Sequence, residues 1–266
     1  MPEPWITLLL LLTGMLAGIS NAIAGGGTFF TFPAFLACGI PPVAANASNA
    51  VAVWPGHALA VVAYRRELAR FSASIVGSTI IALSGGIVGA LLLIYVGNTA
   101  FSKLIPFLIL FATLLFASGG SVGPSLATPT FGAEGRRPSL VARLVEFSFA
   151  VYGGFFGAGL GIMLMAGLLI LGVHDLQANN ALKNLLAAII TTVAVVVLAV
   201  SGLVSWPLTI VAFVGAVLGG ILGARLARVL PVVWLRRVVV AVGLVLSIYY
   251  FGKYYDLQHV SQWLTS

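Results

Sequence analysis

Asn21-Ala22-Ile23-Ala24-Gly25-Gly26-Gly27-Thr28 stands between two apolar runs, residues 5–24 and residues 27–39, and has a counterpart in Gly153-Gly154-Phe155-Phe156-Gly157-Ala158-Gly159-Leu160-Gly161. Each stretch ends a long apolar segment in glycines and is followed by a short apolar piece, then a turn, then an Asn-rich helix start. In the first half these are Phe29 to Ile40, Pro41-Pro42 and Asn46-Ala47-Ser48-Asn49. In the second they are Ile162 to Val173, His174-Asp175 and Asn179-Asn180-Ala181-Leu182-Lys183-Asn184. With an offset of 133, Gly39 falls on Gly172, Ala45 on Ala178 and Asn46 on Asn179, the pattern of an internal duplication.

The segments around these motifs run to roughly twenty residues, the length at which a helix rising 1.5 Å per residue covers a hydrocarbon core about 30 Å thick. Of the 266 residues, 61% are hydrophobic and 7% charged, against roughly a quarter charged in soluble domains. The expected fold is therefore an all-α polytopic membrane protein with 8–10 transmembrane helices. Spans are expected at 5–24, 27–39, 43–64, 71–96 and 104–119, then at 145–159, 161–173, 180–203, 206–224 and 235–255. The short second and seventh segments are either crossings or re-entrant hairpins. Residues 1–119 form a first repeat, 120–139 a cytoplasmic linker rich in Gly and Pro, and 140–266 a second repeat, leaving no room for an appended catalytic domain.

An odd number of crossings per repeat inverts the second copy, and the cations test this. The net charge of +7 comes from 13 Lys and Arg against 6 Asp and Glu. Arg65, Arg66 and Arg70 follow the third segment, Arg136, Arg137 and Arg143 fall at the linker, and Arg225, Arg228, Arg236 and Arg237 fall at the last turn. Retention of basic loops in the cytoplasm fits ten alternating spans with both termini outside, Lys103 and Lys253 also outside, and the protein in the cytoplasmic membrane. These charges orient the chain in a bilayer and do not indicate nucleic acid. Ala22-Ile23-Ala24 looks like a signal cleavage site, but Glu3 and the lack of a basic leader argue for a retained span. Cys38 has no partner in the chain for a disulfide.

In transporters built from inverted repeats, substrate sits where broken helices expose backbone N–H groups and positive dipole ends. Gly25, Gly26, Gly27 and Thr28, with Gly159 and Gly161, are the paired interruptions that would do this; tight helix packing is the competing explanation for glycine. Lys183 is the one cation well inside an apolar segment, where its burial demands a partner. Asn179, Asn180, Lys183 and Asn184 are spaced to share one helical face, a setting for a small anion, although Lys183 two turns from the cytoplasmic end can instead extend to the interface. Asn46 and Asn49 offer matching neutral donors in the first half. His57 and Glu146 are candidates for proton coupling; the alternatives are a packed histidine and an ion pair with Arg143. Asp175 is placed to cap the next helix. No metal spacing, HExxH motif or nucleotide-binding loop occurs, so no cofactor is expected and any driving force is an ion or substrate gradient.

These residues together resemble the TauE/SafE sulfite exporter family, also called toluene sulfonate uptake permeases. The first repeat carries the resemblance in Gly25-Gly26-Gly27-Thr28, Phe32-Pro33-Ala34, Gly39-Ile40-Pro41-Pro42, Ala45-Asn46-Ala47-Ser48-Asn49 and Trp54-Pro55-Gly56, and the second in Tyr152 to Gly161 and Asn180 to Asn184. It covers nearly the whole chain. The resemblance implies a transporter, not an enzyme, that moves sulfite, sulfonates or related sulfur anions. The repeats differ, because Gly-Ala-Gly-Leu-Gly replaces three consecutive glycines and Lys183 has no cationic twin, so the expected site is asymmetric. The rivals to a secondary transporter are an anion channel with the same lining and a non-transporting membrane scaffold. The expected partners are the small anion, the lipid bilayer, a coupling proton or other ion, and further copies of the chain.

Overall fold

A computed structural model of the chain describes residues 3–23, 25–63, 65–68, 75–118, 140–170, 173, 175–226 and 232–255. Their order is α1 (Pro4–Ile23), α2 (Thr28–Ala37), α3 (Pro42–Ala63), α4 (Arg65–Leu68), α5 (Ile75–Ser118), α6 (Leu140–Phe155), α7 (Leu160–Ile170), α8 (Leu176–Val200), α9 (Trp206–Leu226) and α10 (Val232–Tyr254). The described residues contain no strand. Five of these helices are long and apolar enough to cross a bilayer: Pro4–Ile23, Val76–Ser118, Gln177–Val200, Trp206–Leu226 and Val233–Tyr254. Their outward faces carry exposed Leu8, Leu12 and Leu16 on α1, Ile80, Ile87 and Leu91 on α5, and Ile210, Val214 and Leu218 on α9. Apolar stripes of that extent are tolerable only in lipid, so the chain is a multi-pass membrane protein. The expected linker, 120–139, lies outside the described residues, as do His174, Arg70, Arg136, Arg137 and Arg228.

The expected segments match the helices closely, with two differences: the short α4 stands where a turn was expected, and the fourth and fifth segments form one broken helix. At 44 residues α5 is about twice the length a bilayer needs, and it is broken at a single residue, Gly97, with φ 69° and ψ 176°. The expected gap at 97–103 thus shrinks to one glycine. Helix resumes at Asn98, whose carbonyl accepts from Ser102 Oγ at 2.7 Å and whose side-chain Oδ1 accepts the N–H of Val43 at 3.0 Å, tying the bend to the start of α3. The arms before and after Gly97 then pack on different neighbours, the first on α6 and α8, the second on α10.

Packing between the halves is reciprocal. The first helix of the first half, α1, lies on α9, and the first helix of the second half, α6, lies on the first arm of α5. Both seams are made of glycine and alanine. In one, Gly14 and Gly18 meet Ala212 and Ala216, while Gly215, Gly219 and Gly223 meet Leu11, Met15 and Ile19. In the other, Gly85 and Gly89 meet Ala150 and Val151, and Gly154 meets Gly86. Matching positions rise together along each pair, so both pairs are parallel. Without side chains between them the backbones approach closely, and dispersion supplies the association that hydrophobic burial cannot supply in lipid. The central helices α3 and α8 cross one another, tied by Trp54 Nε1 donating to Thr192 Oγ1 at 2.8 Å.

Candidate functional site

The first glycine break is held open by its own side chains. Gly25 and Gly26 adopt φ 85° and 88°, a left-handed conformation that ends α1 and that other residues enter at a cost. Ser20 Oγ donates to the Gly25 carbonyl at 2.6 Å, the Gly25 N–H donates to Ser20 O at 2.8 Å, and Asn21 Oδ1 accepts the Gly27 N–H at 2.8 Å. Gly27 itself is right-handed, at φ −55°, and precedes the first residue of α2. Just beyond it, the Asn49 amide joins α3 to α2: Nδ2 reaches Thr28 Oγ1 at 3.5 Å, and Oδ1 accepts from the hydroxyl of Thr31. Thr28, Thr31 and Asn49 are all buried.

The second break uses the same device at other positions. Gly157 and Gly159 take φ 75° and 76°, and the Tyr152 hydroxyl donates across the turn to Ala158 O at 2.6 Å. The halves meet here, since Asn46 Nδ2 on α3 donates to the carbonyl of Phe155 at 2.9 Å. Asn46 Oδ1 is left buried and unpartnered.

Both breaks abut one face of the second arm of α5. Gly26 lies against Phe116 and Val239, and Gly159 against Ala112 and Leu115. Thr28, Phe29, Phe32 and Pro33 from the first side and Phe156 and Ala158 from the second line a narrow crevice over Ile109. Edge-to-face contacts of Phe32 with Phe101 and Phe156, and of Phe101 with Phe155, close its surroundings. Packed this way, the crevice holds about one water molecule.

Lys183 forms a second group on α8. Its Nζ donates to Asn180 Oδ1 at 3.2 Å, and its methylenes pass Gly161, where an added Cβ would sit 4.0 Å from Lys183 Cδ. His57 on α3 lies within electrostatic reach of Lys183. The face expected from spacing is divided in use. Asn179 is buried and donates to Met165 O at 3.2 Å and Val173 O at 3.1 Å, fixing α7 to α8, whereas Asn184 is half-buried and its side chain makes no hydrogen bond to described residues. Asp175 caps α8, accepting the Ala178 N–H at 2.7 Å, and Glu146 pairs with Arg143 at 3.0 Å.

Thus Gly25, Gly26, Gly27, Thr28 and Asn49 form one polar group with Thr31, and Gly161, Asn180 and Lys183 form another, while Gly159 and Asn46 stand where the halves touch. Asn21 and Thr31 complete the first group. Thr31 was legible as the position one turn beyond Thr28, and Asn21 as the last polar side chain before the glycines. Among the described residues no three His, Cys, Asp or Glu gather as a metal site would require.

A family model described as sulfite exporter TauE/SafE matches residues 10–250. A probable membrane transporter protein of Haemophilus influenzae is 30% identical over 244 residues, covering 90% of this chain and 92% of that protein. The probable membrane transporter protein YfcA of Escherichia coli K12 is 28% identical over 256 residues, covering 93% and 90%. The probable membrane transporter protein ORF9 of a Sinorhizobium species is 27% identical over 243 residues, covering 90% of each. No solved structure matches.

Proposed function

We propose that this chain, which belongs to the sulfite exporter TauE/SafE family and is a membrane transporter, moves a small sulfur-containing anion across the cytoplasmic membrane by alternating access. The observation that carries the proposal is the meeting of the two glycine breaks at one crevice against α5, each at the start of a short helix. The start of a helix holds partial positive charge and N–H groups with no partner in the helix, which can replace the water an anion sheds. Lys183, beside the start of α7, supplies the full charge, with Asn180 and Asn184 next to it, and Asn46 and Asn49 fix the two breaks to α3.

The crevice has room for about one water, so an anion of several heavy atoms enters only if the halves move apart. The reciprocal seams, α1 on α9 and α6 on α5, support two repeats of opposite orientation that rock about α3 and α8. The phenylalanines around the crevice favour such a carrier over an open pore. The distribution of basic residues favours both termini outside, with the arginines in the cytoplasm. Sulfite flux into proteoliposomes tests the proposal. Lys183→Gln is expected to lower flux at subsaturating sulfite by about tenfold, the factor equivalent to 1.4 kcal/mol of lost attraction. Undiminished flux would remove Lys183 from the site.

A further inference from the structure

A second crevice lies away from the glycine breaks, between α6, α7 and α8. It spans about 250 Å³ counting its open side and is lined by Val145, Phe149, Leu164, Leu168 and Leu186, with Glu146 as the one ionisable side chain among the described residues that line it. Glu146 is only 6% exposed. Its Oε2 accepts from Arg143 Nη1 at 3.0 Å, and that guanidinium also donates to Ser78 on α5 at 3.1 Å. The other carboxylate oxygen, Oε1, is buried and has no hydrogen-bond partner. A carboxylate oxygen held without a donor among leucine and phenylalanine is costly. A proton bound there removes the charge from that surface, while Oε2 keeps its donor.

Among the described residues, the groups around Glu146 leave a proton as the fitting ligand. Its own helix contributes Arg143, which is already engaged. The adjoining part of α5 contributes the Ser78 hydroxyl, and α7, Leu160–Ile170, contains no ionisable residue. From α8 the nearest cation is Lys183, one turn before Leu186 and bonded to Asn180. The carboxylate faces α7 where Gly167 packs on the Phe149 ring, and α7 begins at the second glycine break. A shift of α7 would therefore alter both the substrate crevice and the surroundings of Oε1.

We propose that Glu146 is a proton-binding site of the transport cycle, taking up a proton when α7 closes against α6 and releasing it to water when α7 moves away. The coupling to sulfur-anion movement rests on the function proposed above; the protonation itself does not. Infrared titration of the purified protein in lipid tests the protonation. The carboxylic-acid carbonyl band of the wild type should disappear as pH is raised, persist in shifted form in Glu146→Asp, and be missing in Glu146→Gln. A wild type with no such titrating band, or a band unchanged in Glu146→Gln, would overturn the proposal.

Proteoliposomes test the coupling. For one coupled proton, a gradient of one pH unit biases sulfite accumulation by up to about tenfold. Glu146→Gln should lose that bias while still exchanging labelled for unlabelled sulfite. A wild type that exchanges sulfite but ignores the gradient, or a Glu146→Gln protein as biased as wild type, would overturn the coupling with the transport function intact. A wild type that exchanges no sulfur anion counts instead against the function, and the infrared titration then decides the proton site.

Discussion

Gly219 and Gly220 are neighbours on α9 with opposite surroundings, and replacing each with alanine tests the reciprocal seams. A Cβ on Gly219 would stand 2.1 Å from the carbonyl oxygen of Met15 on α1, with further α1 backbone at 2.6 and 2.7 Å; a Cβ on Gly220 would meet nothing within 4 Å. The obstacle at Gly219 is backbone, which no rotamer change removes. Extending 2.1 Å to the 3.4 Å of ordinary van der Waals contact forces α1 and α9 apart by about 1.3 Å. A separation of that size along a seam that also holds Gly14, Gly18, Gly215 and Gly223 costs roughly 1–3 kcal/mol, the usual range for overpacking. The helix-propensity gain on replacing glycine with alanine is common to both variants and cancels in their difference. In detergent melts, Gly219→Ala should unfold roughly 2–12 °C below Gly220→Ala. Equal midpoints for the two would refute the α1–α9 packing.

Two further substitutions probe the first break. Gly26→Ala places a side chain at φ 88° and its Cβ 2.7 Å from the Phe116 ring; sulfite flux should fall severalfold while the purified protein remains monodisperse on size exclusion, and wild-type flux would count against a role for this turn. Thr31→Val removes the hydroxyl that Asn49 Oδ1 accepts from, leaving a buried oxygen unpaired, and should lower stability by about 1–3 kcal/mol in thermal melts; an unchanged midpoint would show that Asn49 finds another donor.

Much of the fold was legible because lipid enforces it. Runs of about twenty apolar residues can satisfy their backbone only as helices, and the glycines at 25–26 and 157–159 mark left-handed turns in the structure. Local pairings were legible too: Asp175 caps α8 and Arg143 pairs with Glu146 because each pair is three residues apart. Contacts between distant segments were not. No local pattern shows that Asn46 reaches Phe155 or that Asn98 receives the N–H of Val43, since both depend on how separate helices cross. Shared helical phase placed Asn179 with Lys183, yet it does not say which neighbour each meets, and Asn179 turns to the carbonyls of α7. The break at Gly97 was overestimated for a related reason. Seven residues of moderate polarity look like a loop, whereas the structure breaks the helix at Gly97 alone and uses the Asn98 side chain to accept the Val43 N–H at the start of α3.

Sulfite movement by a carrier whose two breaks enclose the anion is tested most directly by counterflow. Proteoliposomes containing the wild-type protein are loaded with unlabelled sulfite, diluted into a trace of labelled sulfite, and followed for transient accumulation of label. The expected result is an overshoot that saturates with external sulfite and is abolished when the lumen is empty. Label that equilibrates without overshoot, at a rate proportional to concentration, or that does not enter at all, would contradict transport of sulfite by alternating access.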